Sequence, residues 1–330
     1  MIIGATHIDL TQGSNVQSSS SPLVSVIIPS YERPNLVEQA IRSVLNQTHQ
    51  NMELLVIDDH SPTPIAGVLD EKILTDDRVN IIRLEENRGA NSARNVGIRK
   101  STGDFIAFLD DDDRWMEKKV QRQITAFNEA ASDVGAVFTG LINVDDEGKI
   151  LGKRIPARHE TDTKSLLLGK SLAPFSTVMV QSKIIDHAGL LDERFPSWQD
   201  RDWYFRLSKH CTFESIREPL VVKMSDDHAQ IGDDFESKRD ISYPLLLRKH
   251  RKTAREYGKI TERRFVAYRS YSLGKSAMKN GYYTDARKYL LRSIYNYPFQ
   301  LDPILYFAAA IGGSKTHDLF RHIGRKLGFV

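Results

Sequence analysis

The stretch Phe105-Ile-Ala-Phe-Leu-Asp-Asp-Asp-Asp-Arg-Trp115, FIAFLDDDDRW, runs five apolar residues straight into four carboxylates. A short apolar run bounded by polar residues reads as a buried strand. Neighbouring carboxylates repel, so two readings stand side by side. One is a solvated turn, with Asp113 capping a helix that begins near Trp115; the other is a cation site at the end of the strand. Working outward, residues 24–28 (VSVII, ended by Pro29), 52–57 (MELLVI, closed by Asp58-Asp59), 79–84 and 136–144 also read as strands. Between them, Pro34 opens a helix carrying Val37, Ile41, Val44 and Leu45 at helical spacing. A poorer helix follows at 65–74. Another spans 90–100 after Gly89, with Gly103 in the place of a C-terminal cap. This alternation predicts an α/β, Rossmann-like fold whose mixed, mostly parallel sheet is flanked by helices. In such sheets ligands bind beyond the carboxyl ends of the strands, where Asp58-Asp59 and Asp110–Asp113 both fall.

Beyond residue 144 the pattern loosens. Residues 175–180 read as a strand, 201–210 as a helix and 220–224 as a further strand. From about Lys238 the chain is helical and basic: Ala286, Tyr289, Leu290 and Ile294 mark one helix, and Pro298 and Pro303 interrupt the run. The near-neutral total of +3 hides an asymmetry, because residues 238–330 hold 20 Lys+Arg against 6 Asp+Glu while residues 1–237 hold 26 against 37. An acidic body suggests a cation-using site and a basic tail an anionic partner. The single cysteine, Cys211, excludes an intrachain disulfide and a cysteine-rich zinc site. No apolar run approaches the roughly 18 residues of a spanning helix. Residues 1–22 read as a flexible leader.

Four segments in order, VSVIIPSYER, LLVIDDHS, ENRGANSARNVGIRKSTGDFIAFLDDDDRW and WQDRDWYFRL, resemble the family 2 glycosyltransferases, which have the GT-A fold. The likeness covers roughly residues 23–231. It implies a GT-A domain over 23–237, with a nucleotide-binding half (23–115) and an acceptor half (116–237), followed by a basic helical region over 238–330.

The resemblance also implies roles. Pro29, Ser30 and Glu32 match the turn that lines the base pocket, and Asp59, with Asp58 beside it, matches the carboxylate that accepts from the base N–H, which favours uridine. The plainer reading is that Asp58-Asp59 starts a turn before Ser61-Pro62. Arg94 is placed to fork onto a phosphate, or else to pair with the aspartates. Asp110-Asp-Asp112 takes the place of the DxD motif: Asp110 for the nucleotide ribose, Asp112 for Mn²⁺ or Mg²⁺, Asp111 in the variable middle place and Asp113 as a cap or support. His228 lies where family members often carry a companion metal ligand, although a lone histidine is as often simply solvated. Asp200 matches the general base, with Asp202 as a second candidate or an orienting residue. Gln199 departs from the family's usual glutamate. Trp198 and Trp203 are candidate sugar platforms, Trp203 equally a core residue.

What is implied is inverting, metal-dependent transfer from a nucleotide-diphosphate sugar, UDP-sugar favoured, to a glycan or polyprenyl-linked acceptor in cell-surface polysaccharide or glycoconjugate synthesis. A protein that binds nucleotide-sugar without turnover is the alternative. A dinucleotide oxidoreductase is excluded, because IIPSYERP stands where G-x-G-x-x-G belongs. No nucleic-acid motif accompanies the basic tail. That tail suits either a solvated face or a peripheral contact with anionic lipid on the cytoplasmic side of a membrane.

Overall fold

The structure is a computed structural model that describes residues 21–156, 162–169, 174–224 and 234–313. Of the expected leader, residues 1–20 lie outside the described residues, as does His228. The first half runs β1 (Val24–Ser30), α1 (Pro34–Leu45), β2 (Met52–Asp58), α2 (Glu71–Leu74), β3 (Val79–Arg83), α3 (Ala90–Lys100) and β4 (Phe105–Phe108). These strands lie parallel in the order β3-β2-β1-β4. Next come β5 (Asp113–Trp115), α4 (Lys119–Glu129), β6 (Val134–Val144), β7 (Ile150–Arg154) and α5 (Thr163–Leu167). They are followed by β8 (Val178–Gln181), α6 (Ser182–Ala188), α7 (Gln199–Leu207) and β9 (Thr212–Met224). Strand β8 runs antiparallel between β4 and β6, and β6 lies parallel to β9. Strand β5 closes antiparallel on β9, and β7 flanks β6, giving a mixed nine-stranded sheet.

The central strands are buried on both faces, as strands covered by helices on each side must be. In β1, Val24, Val26 and Ile28 enter the core beneath α1, while Ile27 points to the opposite core; in β2, Leu54 and Val56 divide from Leu55 and Ile57 in the same way. Helix α3 can lie close to β1 because it is built of small residues: a Cβ on Gly97 would come within 2.5 Å of Ile27 Cγ2.

Several local expectations change. Gly103 does not cap α3, which ends at Ser101; a Cβ at Gly103 would meet Ser25 Oγ at 2.6 Å and Leu23 O at 2.8 Å, so the glycine permits a close backbone approach. The helix expected over 65–74 is a 3₁₀ turn, Ile65–Gly67, and the short α2. The strand expected from 175 begins at Val178, after a 3₁₀ turn over Phe175–Thr177, and that expected over 220–224 is the end of the long β9. Asp113 caps no helix: it opens β5 opposite Lys223 and is 1% exposed, so the solvated-turn reading fails where it looked plainest.

The chain continues through α8 (Phe235–Ser237), α9 (Tyr243–Glu256), α10 (Lys259–Lys279), α11 (Tyr283–Asn296) and α12 (Leu301–Ile311). Pro298 sits in the break between α11 and α12, whereas Pro303 sits in the first turn of α12, where no backbone N–H is needed. These helices share their core with the sheet: Leu246, Phe265, Leu273 and Leu290 belong to the apolar cluster that holds Ile27, Phe108 and Trp203. Among the described residues, no helix is long and apolar enough to cross a membrane.

Candidate active site

The carboxyl ends of β1, β2 and β4 and the start of α7 open onto a cavity of about 980 Å³. Pro29, Ser30, Glu32, Asp59, Arg94, Asp110, Asp111, Asp112 and Asp200 all line it. Asp58 is not brought there. It is buried beneath the rim, accepting from the Ser61 and Ile65 backbone N–H groups and from Arg83, and so pins the turn after β2. Asp59 lines the cavity while accepting from the N–H groups of Arg88 (2.9 Å) and Gly89 (2.7 Å). Burial raises its pKa, with those two bonds and Arg88 opposing and Asp58 adding to it.

The four aspartates sort by partner. Asp110 accepts from Arg94 Nη2 at 2.6 Å. Burial alone would raise its pKa, but Arg94, Lys223 and Arg33 together hold it below the usual value. Asp111 accepts from Ser30 Oγ at 2.7 Å and from Arg33 Nη1, and burial pushes it up to about 6. Asp112 shares that Arg33 nitrogen at 3.2 Å. Asp113 accepts from Ser176 Oγ, which in turn accepts from the Asp110 N–H, and burial pushes Asp113 up to about 7 against the attraction of Lys223. Ligand oxygens of Asp110, Asp112 and Asp113 lie within 4.8 Å of one another. Asp113 Oδ1 is buried without a hydrogen-bond partner among the described residues, and its nearest cation, Lys223 Nζ, is 3.6 Å away. Hard carboxylate oxygens grouped in this way fit Mg²⁺ or Mn²⁺.

Arg94 is the buried cation of the floor, 4% exposed, with its guanidinium 4.6 Å from the centre of the Phe175 ring. The ion-pair reading of Arg94 describes the structure as it stands. Yet its Nε and Nη1 have no hydrogen-bond partner among the described residues. Buried guanidinium donors left unpaired are costly, and an anion entering the cavity would satisfy them.

At the other end, Trp198 holds a left-handed backbone (φ 63°) and caps α7, leaving Asp200 in the first turn of the helix. Glu32 (φ 57°) and His60 (φ 63°) are the other non-glycine residues in this region of backbone space among the described residues, and all three lie on or beside the rim. Such conformations cost about 1–2 kcal/mol each and concentrate at functional sites. The Trp198 ring carries the Arg201 guanidinium at 4.8 Å.

Two residues along α7, the environment reverses. Asp202 is fully buried away from the cavity, accepting from His250 Nε2 (2.8 Å), Lys249 Nζ (2.8 Å) and Arg206 Nε (3.0 Å). Burial would raise its pKa, but the bonds from His250 and Lys249 and the charge of Arg206 hold it low. It orients α7. Trp203 is likewise core, edge-on to Phe108 with its indole N–H on Gly189 O, so it offers no sugar platform.

Several side chains that line or brace the cavity escaped the sequence reading. Besides Arg94, Arg33 and Lys223 are cavity cations beside the aspartates, and Lys238 reaches the cavity from the basic region. Arg33 stands inside the SYER segment; Lys223 is found only through the β5–β9 register. Asn91 and Asn95, one turn apart on α3, bind the loop that leads into α7: Asn91 donates to Phe195 O (3.0 Å), and Asn95 donates to Leu191 O and accepts from the Leu191 N–H (2.9 Å each). Lys249 reaches both Asp192 on that loop and Asp202.

Comparison with known proteins agrees with the fold. The profile of Glycosyl transferase family 2 matches residues 25–187. A putative teichuronic acid biosynthesis glycosyltransferase, TuaG, of Bacillus subtilis is 35% identical over 159 residues, 48% of this chain and 62% of that protein. An uncharacterised glycosyltransferase of Haemophilus influenzae is 31% identical over 211 residues, 64% of this chain and 80% of that protein. The match thus spans less than two thirds of the B. subtilis relative's length. Among solved structures, S. aureus TarS 1–349 in complex with UDP-GlcNAc superposes with a TM-score of 0.56 at 15% identity, covering 87% of this chain and 90% of that one.

Proposed function

Because the chain belongs to glycosyltransferase family 2, we propose that it moves a sugar of the hexosyl or N-acetylhexosaminyl class from a nucleotide-diphosphate donor, UDP preferred, to a hydroxyl of a glycan or lipid-linked acceptor. The observation that carries this reading is one cavity that joins Ser30, Asp59, Arg94 and Asp110–Asp112 to Asp200. Uridine is supported by the fold neighbour crystallised with UDP-GlcNAc and with UDP.

In this reading Pro29, Ser30, Glu32 and Asp59 hold the nucleoside, with Asp59 accepting from the base N–H and Asp110 turning toward the ribose. Arg94 exchanges its bond to Asp110 for a fork onto the diphosphate, which satisfies the two nitrogens that have no partner among the described residues. Asp112, with Asp110 and Asp113 beside it, would hold Mn²⁺ or Mg²⁺. When bound, that ion offsets the charge developing on the leaving diphosphate. Trp198 and Arg201 seat the acceptor so that its hydroxyl oxygen faces the anomeric carbon. As the new C–O bond forms, the bond to the diphosphate oxygen breaks and Asp200 takes the hydroxyl proton. One displacement inverts the anomeric configuration. Residues 23–115 supply the donor half and 116–237 the acceptor half; the basic 238–330 region supports peripheral contact with the cytoplasmic face of a membrane.

The test is donor turnover across a panel of nucleotide-sugars, with and without Mn²⁺, in wild type and Asp112→Ala. The expected result is turnover of a UDP-sugar that falls at least 100-fold on omitting the ion and equally in the variant. Equal turnover in all four arms would remove the metal assignment, and no turnover of any donor by wild type would remove the transferase reading.

A further inference from the structure

The helices after residue 238 turn one end of their bundle into an apolar tip. The α9–α10 turn and the α11–α12 turn lie side by side there, because Arg263 on α10 donates to Tyr295 O (2.8 Å) and Asn296 O (3.0 Å) at the end of α11. Together the two turns display Ile260 (72% exposed), Tyr295 (81%), Phe299 (83%) and Leu301 (75%). The exposed stripe continues along one face of α12: Ile304 and Leu305 lie three and four residues after Leu301, and Ile311 seven after Ile304, spacings that return to the same side. Large apolar side chains this exposed and this close together mark a surface that is covered by something.

We propose that this tip enters the headgroup layer of an anionic lipid bilayer. The choice of occupant rests on charge. Residues 238–313 carry 16 Lys+Arg against 5 Asp+Glu. Of these, Lys259 and Arg263 sit on the α10 side of the tip, while Lys288 and Arg292 share the exposed face of α11 with Leu291 and Tyr295. Apolar and aromatic side chains at two adjacent turns, on helices with an excess of cations, are what an interfacial anchor requires: the rings and aliphatic groups leave water, and the cations remain at the phosphates. A second copy of this chain would instead bring like charges together.

The tip also sets a distance. At the other end of α10, Ser276 accepts from Lys238 Nζ, a residue of the cavity wall. Ser276 and Ile260 are about 24 Å apart along the helix. This deepens the proposed transfer and rests on it: a lipid-linked acceptor would need a glycan or spacer long enough to bridge that gap, which disfavours a sugar attached directly at the membrane surface.

The experiment compares the full chain with the triple variant Ile260→Ser, Phe299→Ser, Leu301→Ser, all surface positions away from the cavity. Each is sedimented with vesicles of equal parts phosphatidylglycerol and phosphatidylcholine, and with phosphatidylcholine alone. Circular dichroism and light-scattering mass are recorded in parallel. Wild type should bind the anionic vesicles at least tenfold more than the neutral ones, and release as salt is raised. The variant, folded and of unchanged mass, should lose at least tenfold of that binding while turning over donor at the wild-type rate. Wild-type failure to bind, equal binding by the variant, or a wild-type dimer that the variant dissolves would each overturn the proposal. Vesicle binding by a protein that turns over no donor would leave the tip standing and defeat only the transferase reading.

Discussion

Exchanging the two aspartates of α7 one at a time should separate chemistry from architecture. Asp200→Asn keeps the side-chain shape at a half-exposed position whose one described bond is to the Arg201 N–H, which an amide oxygen also accepts. Folding should be almost unchanged, with Tm within about 2 °C, because surface changes of this kind stay near 0.5 kcal/mol. Transfer should fall roughly 10²–10⁴-fold with the removal of a positioned base, while nucleotide affinity holds. Asp202→Asn should do the opposite. That carboxylate is fully buried among His250, Lys249 and Arg206, and removing one partner of a buried charge network costs about 3–5 kcal/mol. At about 2–4 °C per kcal/mol for a domain of this order, Tm should fall by roughly 6–20 °C. The fraction that remains folded should retain most of its rate. The assays are thermal unfolding, nucleotide titration and single-turnover transfer on both variants. Near-normal transfer by Asp200→Asn, or a normally stable Asp202→Asn that binds donor but cannot transfer, would refute the division of roles.

Three further outcomes follow from the same geometry. Arg94→Lys should weaken nucleotide binding about 10–100-fold in calorimetry with little change in fold, because a point charge cannot fork onto two oxygens. Unchanged affinity would return Arg94 to a purely structural ion pair. Lys223→Met takes away the cation 3.6 Å from Asp113, so Mn²⁺ affinity measured by electron paramagnetic resonance should rise several-fold even without nucleotide; a fall would mean that Lys223 supports the ion instead of competing with it. Burial holds His250 below the ordinary histidine pKa against the pull of Asp202, with Lys249 and Lys209 adding to the depression. The unfolded chain therefore takes up a proton first as pH falls below about 6.5, and stability should decline from there toward the lower folded value. Thermal melts between pH 7.5 and 5.5 should show that slope, and His250→Gln should flatten it.

How far the chain could be read as sequence depended on whether the relevant physics was local. Two-sided apolar runs such as VSVII and MELLVI, Pro34 at a helix start and Gly89 before α3 act on their own neighbours, and those elements stand where expected. The grouping of Asp59 with Asp110–Asp112 was legible for a related reason: strand ends of a parallel sheet share one rim, so residues at those ends must meet, whereas Arg94 on α3 and Asp200 on α7 were pointed to only by the family resemblance. Register and long-range packing were not legible. Whether Asp113 is solvated or buried depends on β9, more than a hundred residues later, bringing Lys223 opposite it. Whether Asp202 faces substrate or core depends on α9 delivering His250 and Lys249. Asn91 and Asn95 of NRGANSARN gave no sign that they hold the loop before Asp200, since their partners are backbone carbonyls about a hundred positions away. The sequence by itself determined the parallel strands β1 to β4, their acidic ends and the basic charge of the last helices. Only the tertiary structure decided which carboxylates face the cavity and which are buried braces. An aspartate's role is set by the groups packed around it, and packing partners are chosen by the whole fold.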